Sequence, residues 1–86
     1  MREHEKILKA LANRRRLEIL KYLKDEKYAT VGELAEKIRL SFKSTSKHLA
    51  VLSGADIVER EQRGLSMFYS IVSKLPPSAK SIIGLL

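Results

Sequence analysis

Apolar residues recur along this chain first with a helical period and then with an alternating one. Ile7, Leu8 and Leu11, with Ala10 and Ala12 among them, predict a short amphipathic helix over about residues 3–12. Asn13 interrupts it and carries a side chain suited to capping the next helix. Leu17, Ile19, Leu20 and Leu23 then define a second helix over about 14–25, with Arg14, Arg15, Arg16 and Lys21 elsewhere on its surface. The polar stretch from Asp25 to Ala29 ends it. Thr30 and Glu33 have the spacing of a capping box. They open a third helix over about 31–38 whose inward positions are Leu34, Ala35 and Ile38. Arg39 and Leu40 make a turn, and Ser41 can cap a fourth helix. There Thr45, Leu49 and Leu52 recur at spacings of four and three, which sets one inward face. Leu17, Leu20, Leu34, Ile38, Leu49 and Leu52 are the expected core.

Beyond Asp56 the period changes. Ile57–Glu61 and Leu65–Ile71 predict two strands, with Gln62, Arg63 and Gly64 as the hairpin tip and Gly64 supplying a positive φ. Pro76 and Pro77 suit the start of a last helix, because an absent N–H costs little there. Its apolar positions are Ala79, Ile82, Ile83 and Leu86, with Leu75 leading in. The whole predicts a mainly α fold with a small β-hairpin, and a single domain over residues 1–86.

Two short helices joined by a tight turn, the second opening on small polar and basic residues, make a helix-turn-helix. On the wheel of the fourth helix, Lys43, Ser44 and Lys47 lie opposite the inward stripe, and Ser46 and His48 flank them. Short serines let a helix sit deep in a major groove, while the lysines reach base edges or phosphates. The hairpin that follows is a wing, from which Arg60 and Arg63 can reach the flanking backbone or the minor groove. Met67, Phe68 and Tyr69 read as wing and core packing.

Charge sharpens this reading. The chain has 86 residues, with 17 Lys and Arg against 10 Asp and Glu, a net charge of +7. No acid lies between Glu36 and Asp56, a window that holds Lys37, Arg39, Lys43, Lys47 and His48. An excess concentrated on one segment points to a polyanion partner, here double-stranded DNA, more than to general solubility. The Arg14–Arg16 run reads as a solvated helix face.

Other classes are disfavoured. With no cysteine, disulfides and thiolate metal sites are excluded. Two histidines, His4 and His48, are too few for an ordinary transition-metal site. No nucleophile–base pair, phosphate-cradling loop or carboxylate dyad points to an enzyme, and no cofactor is expected. The charged start MREHEKILKA lacks the apolar stretch of a signal peptide, and no run nears the roughly 18 residues of a membrane span, so no membrane partner is expected and the cytoplasm is the expected compartment.

The stretches LKALANRRRLEILKYL, TVGELAEKIRLSFKSTSKHLAVLSGADIVER and RGLSMFYSIV resemble the ArsR (arsenic-repressor) family of winged-helix regulators, over about residues 7–72. The most specific part is SKHLAVLSGADIV, read with GELAEKI upstream. The resemblance implies a winged helix-turn-helix with four helices, a hairpin and a fifth helix. It also implies a homodimer built from the first and last helices and binding to an operator. By match to the motif, Lys43, Ser44, Ser46, Lys47 and His48 take the recognition-helix positions, and Arg63 and Gly64 the wing tip. Phe42 replaces a polar recognition residue, Thr45 an inward Val, and Asp56 a helix-ending Gly. The Cys-containing metal box is absent from the matching segment Ala29–Leu34, and the last helix lacks the Asp/His/Glu metal set. The chain is thus similar to the non-metal-sensing members.

The apolar stripes of the first and last helices, residues 1–12 and 75–86, have no evident partner in so small a chain. They predict a two-fold interface carrying Ile7, Leu8, Leu11, Ala79, Ile82, Ile83 and Leu86. The alternative is that the two stripes cover each other within one monomer. Such a dimer sets its recognition helices about 34 Å apart. The expected function is a dimeric repressor on a palindromic operator. The competing readings are a winged-helix module that docks proteins and a repressor responding to metal through carboxylates and His4. No effector is legible in the residues.

Overall fold

The computed structural model describes residues 1–86 as α1 (Arg2–Leu11), α2 (Arg14–Glu26), α3 (Val31–Ile38), α4 (Phe42–Gly54), β1 (Val58–Arg63), β2 (Ser66–Ile71) and α5 (Pro77–Gly84). Helices α2, α3 and α4 each start where a capping side chain stands. The Asn13 side chain accepts from the Arg16 amide at 3.1 Å. Thr30 and Glu33 close both halves of the capping box, at 3.2 and 2.9 Å. Ser41 Oγ accepts from the Ser44 amide at 3.1 Å. Each such bond satisfies an N–H that the helix itself leaves orphaned, worth about 1 kcal/mol.

One apolar cluster joins every element. Ile19, Leu20, Leu34, Leu49, Leu52 and Ile57 are fully enclosed, with Leu23 nearly so. Side chains of that kind contribute about 1.5–3 kcal/mol each when removed from water. Leu17, expected in this core, is only half-buried, on the rim of a surface groove with Arg14, Lys21 and Leu86. Thr45 is the one buried polar residue, and its hydroxyl donates to the Ser41 carbonyl at 2.8 Å. An inward Thr is therefore tolerated because its own helix satisfies it.

The stripes of α1 and α5 face each other within the monomer. Ile7, Leu11, Ala79 and Ile83 are buried there as part of the chain's own core. The expectation that they stand spare for a second subunit is corrected on this point. The intramolecular alternative holds for these four, because α5 folds back over α1 and leaves them no outward face. Leu8 remains 50% exposed, and Ile82 and Leu86 are partly exposed. The Lys24 ammonium holds the end of α5 by donating to the Gly84 carbonyl at 3.1 Å.

The antiparallel hairpin pairs Val58 with Ile71 and Arg63 with Ser66. Its turn is Gly64-Leu65, one residue later than expected, with Gly64 at φ 62°. A two-residue turn with a positive φ matches the twist of the strands it joins. Gln62 and Arg63 are strand residues and not turn residues, and Leu65 stands fully exposed at the tip. Ala29 adds a short third edge that the periodicity did not reveal. It exchanges backbone bonds of 3.1 and 2.8 Å with Tyr69. That bridge seats the wing on the loop between α2 and α3.

Candidate nucleic-acid interface

The fourth helix buries Thr45, Leu49 and Leu52 and exposes Lys43 and Lys47, one turn apart on the opposite side. Ser44 and Ser46 are half-exposed beside them. The chain's ion pairs use Lys9, Arg15, Lys21 and Arg63, leaving Lys43, Lys47 and Arg60 without an internal anion. Arg60 is exposed on β1 and lines, with Ser46, Ala50, Ser53 and Tyr69, a groove of about 410 Å³ between α4 and the wing. Ser53 was not among the expected site residues; its place in the same groove as Arg60 depends on how the hairpin folds back over α4. Phe42 is 64% exposed at the start of α4. The structure thus brings Lys43, Ser44, Ser46, Lys47 and Arg60 onto one outer surface.

Two expected members of this surface are engaged elsewhere. Arg63 donates twice to Glu61 Oε1, at 2.9 and 3.1 Å, and its guanidinium lies over the Tyr28 ring, 4.3 Å from the centre. Phe68 flanks it at 5.5 Å. Its charge is compensated within the wing, and strand pairing turns it toward Tyr28 instead of out past the tip. His48 is half-buried, with Nδ1 3.3 Å from Arg16 Nη1. Burial, then Arg16 and Arg15, hold the imidazole below its ordinary value and so neutral.

The arginine run is not a solvated face. Arg15 donates to the Ile38 carbonyl at 2.5 Å and pairs with Glu18 at 3.2 Å. Arg16 donates through Nε to the Ala10 carbonyl at 2.7 Å and through Nη2 to that of Lys9 at 3.3 Å. Both close the C-terminal ends of neighbouring helices, where unpaired carbonyls favour a cation. Only Arg14 of the three is exposed. Sequence periodicity carries no sign of the carbonyl contacts, since each joins a side chain of α2 to the backbone of another helix.

A helix pair with a basic outer face on its second member, followed by a hairpin seated alongside, defines a winged helix-turn-helix. Residues 13–60 match the family model described as "Bacterial regulatory protein, arsR family". The chain belongs to that family. It is 40% identical over 67 residues to the transcriptional activator HlyU of Vibrio cholerae, a match covering 78% of this chain and 61% of HlyU. The structure of reduced HlyU from Vibrio cholerae superimposes with a TM-score of 0.83 at 37% identity, covering 98% of this chain and 84% of that one. The crystal structure of the transcriptional repressor PagR of Bacillus anthracis has a TM-score of 0.82 at 28% identity, covering 98% and 92%. A homodimeric winged helix-turn-helix DNA-binding domain, Mb0332 from Mycobacterium bovis, has a TM-score of 0.82 at 26% identity, covering 96% and 73%.

No helix is long and apolar enough to cross a membrane.

Proposed function

We propose that the protein is a transcription regulator that binds a palindromic operator in double-stranded DNA as a homodimer. In its simplest form it represses by occupying the site. The carrying observation is the exposed pair Lys43 and Lys47, unmatched by any internal anion, on the face of α4 turned away from the core. α4 enters the major groove, where the lysines meet guanine edges or phosphates and Ser44 and Ser46 meet base edges. Phe42, exposed at the leading end, suits a thymine methyl. Arg60 meets the backbone beside the groove.

The homodimeric domain among the structural relatives supports a two-fold assembly. Its interface in this chain uses those of the expected residues on 1–12 and 75–86 that the monomer leaves open: Leu8, Ile82 and Leu86. The protein acts in the cytoplasm by reversible occupancy, as a binding protein and not an enzyme. Titration of duplex DNA carrying a selected site, at two salt concentrations, tests the reading. Binding that weakens steeply with salt, and a selected palindrome with half-sites about one helical turn apart, are the expected results. Salt-independent binding, or none to any duplex, overturns it.

A further inference from the structure

We propose that Arg16 is a positioning residue for the recognition helix, tying the C-terminal end of α1 to the His48 ring and so holding α4 in a fixed relation to α1. The inference rests on the DNA-binding reading and extends it to a residue that touches no DNA. All three guanidinium nitrogens are committed: Nε to the Ala10 carbonyl at 2.7 Å, Nη2 to the Lys9 carbonyl at 3.3 Å, and Nη1 to His48 Nδ1 at 3.3 Å. The Arg16 amide is held in turn by the Asn13 side chain at 3.1 Å. Both ends of the link are therefore anchored to secondary structure.

Donor and acceptor chemistry makes the link directional. A guanidinium is always protonated and has no acceptor. His48 Nδ1 must therefore be the acceptor, which requires the neutral ring with its proton on Nε2. A second proton on the ring removes the acceptor and sets two cations face to face. Of the elements packed on α4, namely α1, α2, α3 and β1, only α2 brings charge to bear on the ring, through Arg16 and Arg15. Glu18 pairs with Arg15 at 3.2 Å and offsets part of its charge, whereas Arg16, bonded to two carbonyls, has no carboxylate partner and faces the ring uncompensated. Neutral His48 thus couples α1 to α4, and protonated His48 releases them.

The test has two arms. In the free protein, the ring protons of His48 are titrated by NMR. His48 is expected to titrate below the ordinary histidine value, and Arg16→Met is expected to move it back up. In the second arm, duplex affinity is measured against pH and salt. Wild-type affinity is expected to fall as His48 protonates. His48→Asn, whose amide oxygen replaces Nδ1 as acceptor, is expected to bind like wild type at neutral pH and to lose that pH dependence. His48→Leu is expected to bind about tenfold more weakly, the loss of one charge-assisted bond. It leaves the α1 bonds of Arg16 intact, so it reads the coupling even where Arg16→Met unfolds the chain. Arg16→Met is expected to weaken binding without changing the salt slope, since no phosphate contact is lost.

Affinity that rises as His48 protonates makes His48 a phosphate contact and overturns the proposal. So does a reduced salt slope in Arg16→Met, unchanged binding by His48→Leu, or a His48 titration that Arg16→Met leaves in place. If the wild type binds no duplex, the regulator reading fails, while the NMR arm still reports on the Arg16–His48 contact.

Discussion

The guanidinium of Arg63 lies 4.3 Å from the centre of the Tyr28 ring and donates two hydrogen bonds to a carboxylate oxygen of Glu61 on its own strand. A wing arginine held this way braces the hairpin against the loop before α3. Arg60, three residues earlier, has no such partner. The two therefore differ in what they offer a polyanion. Arg60→Ala is expected to weaken duplex binding and lower the salt slope by about one. Arg63→Met, which keeps the stem against the rings, is expected to leave the slope nearly unchanged. Equal drops in both variants, in titrations across a salt series, would mean that Arg63 leaves Tyr28 for phosphate.

Adjacent residues of α1 separate assembly from folding. Leu8 is 50% exposed, whereas Ile7 beside it is 7% exposed and packed in the core. Leu8→Glu is expected to give a folded monomer by analytical ultracentrifugation, with native helical circular dichroism. Ile7→Glu is expected to unfold the chain, because it buries an unpaired carboxylate. A fully dimeric Leu8→Glu would move the two-fold interface off this face of α1.

Arg39 and Asp56 both hold left-handed backbone, at φ 54° and 57°. Arg39 ends α3 and Asp56 follows α4, positions at which glycine relieves strain between Cβ and carbonyl. Arg39→Gly is expected to stabilise the fold by about 1 kcal/mol net of the glycine's extra chain entropy, and Asp56→Gly by about half that, since Asp tolerates this region better. For a chain of this size about 1 kcal/mol corresponds to a rise of roughly 4–8 °C in the melting temperature. Calorimetry of the two variants checks both the sign and the order.

The depressed His48 ionisation also carries a stability consequence. Above the ordinary histidine value of about 6.5 the ring is neutral both folded and unfolded, and the contribution is fully present. As the pH falls past that value the unfolded chain takes up the proton first, so the native state loses ground until the native ring is itself protonated. Urea midpoints measured at about pH 7.5 and pH 5 are expected to separate more for wild type than for His48→Asn. Equal separations would mean that the native ring titrates freely.

Much of this protein was legible along the chain. Asn13, Thr30 with Glu33, and Ser41 mark three helix starts, because a cap acts over three residues and needs no distant partner. The inward stripe of Thr45, Leu49 and Leu52 likewise follows from helical period alone, and with it the outward position of Lys43 and Lys47. The Ala29–Tyr69 bridge left no such trace, since one residue is too short to show an alternation.

By itself, the sequence determined which segments become helix or strand and which side of each is apolar, since caps, turn glycines and periodicity act between near neighbours. It likewise determined that the segment between Glu36 and Asp56 carries bases and no acid. Tertiary structure alone decided which cations stay free. Arg15 and Arg16 are drawn to the carbonyl ends of other helices, and Arg63 to an aromatic ring across a loop. It also decided that α1 and α5 cover each other, leaving Leu8 outside. These outcomes depend on how separate elements meet in space, and a one-dimensional pattern carries no such distance.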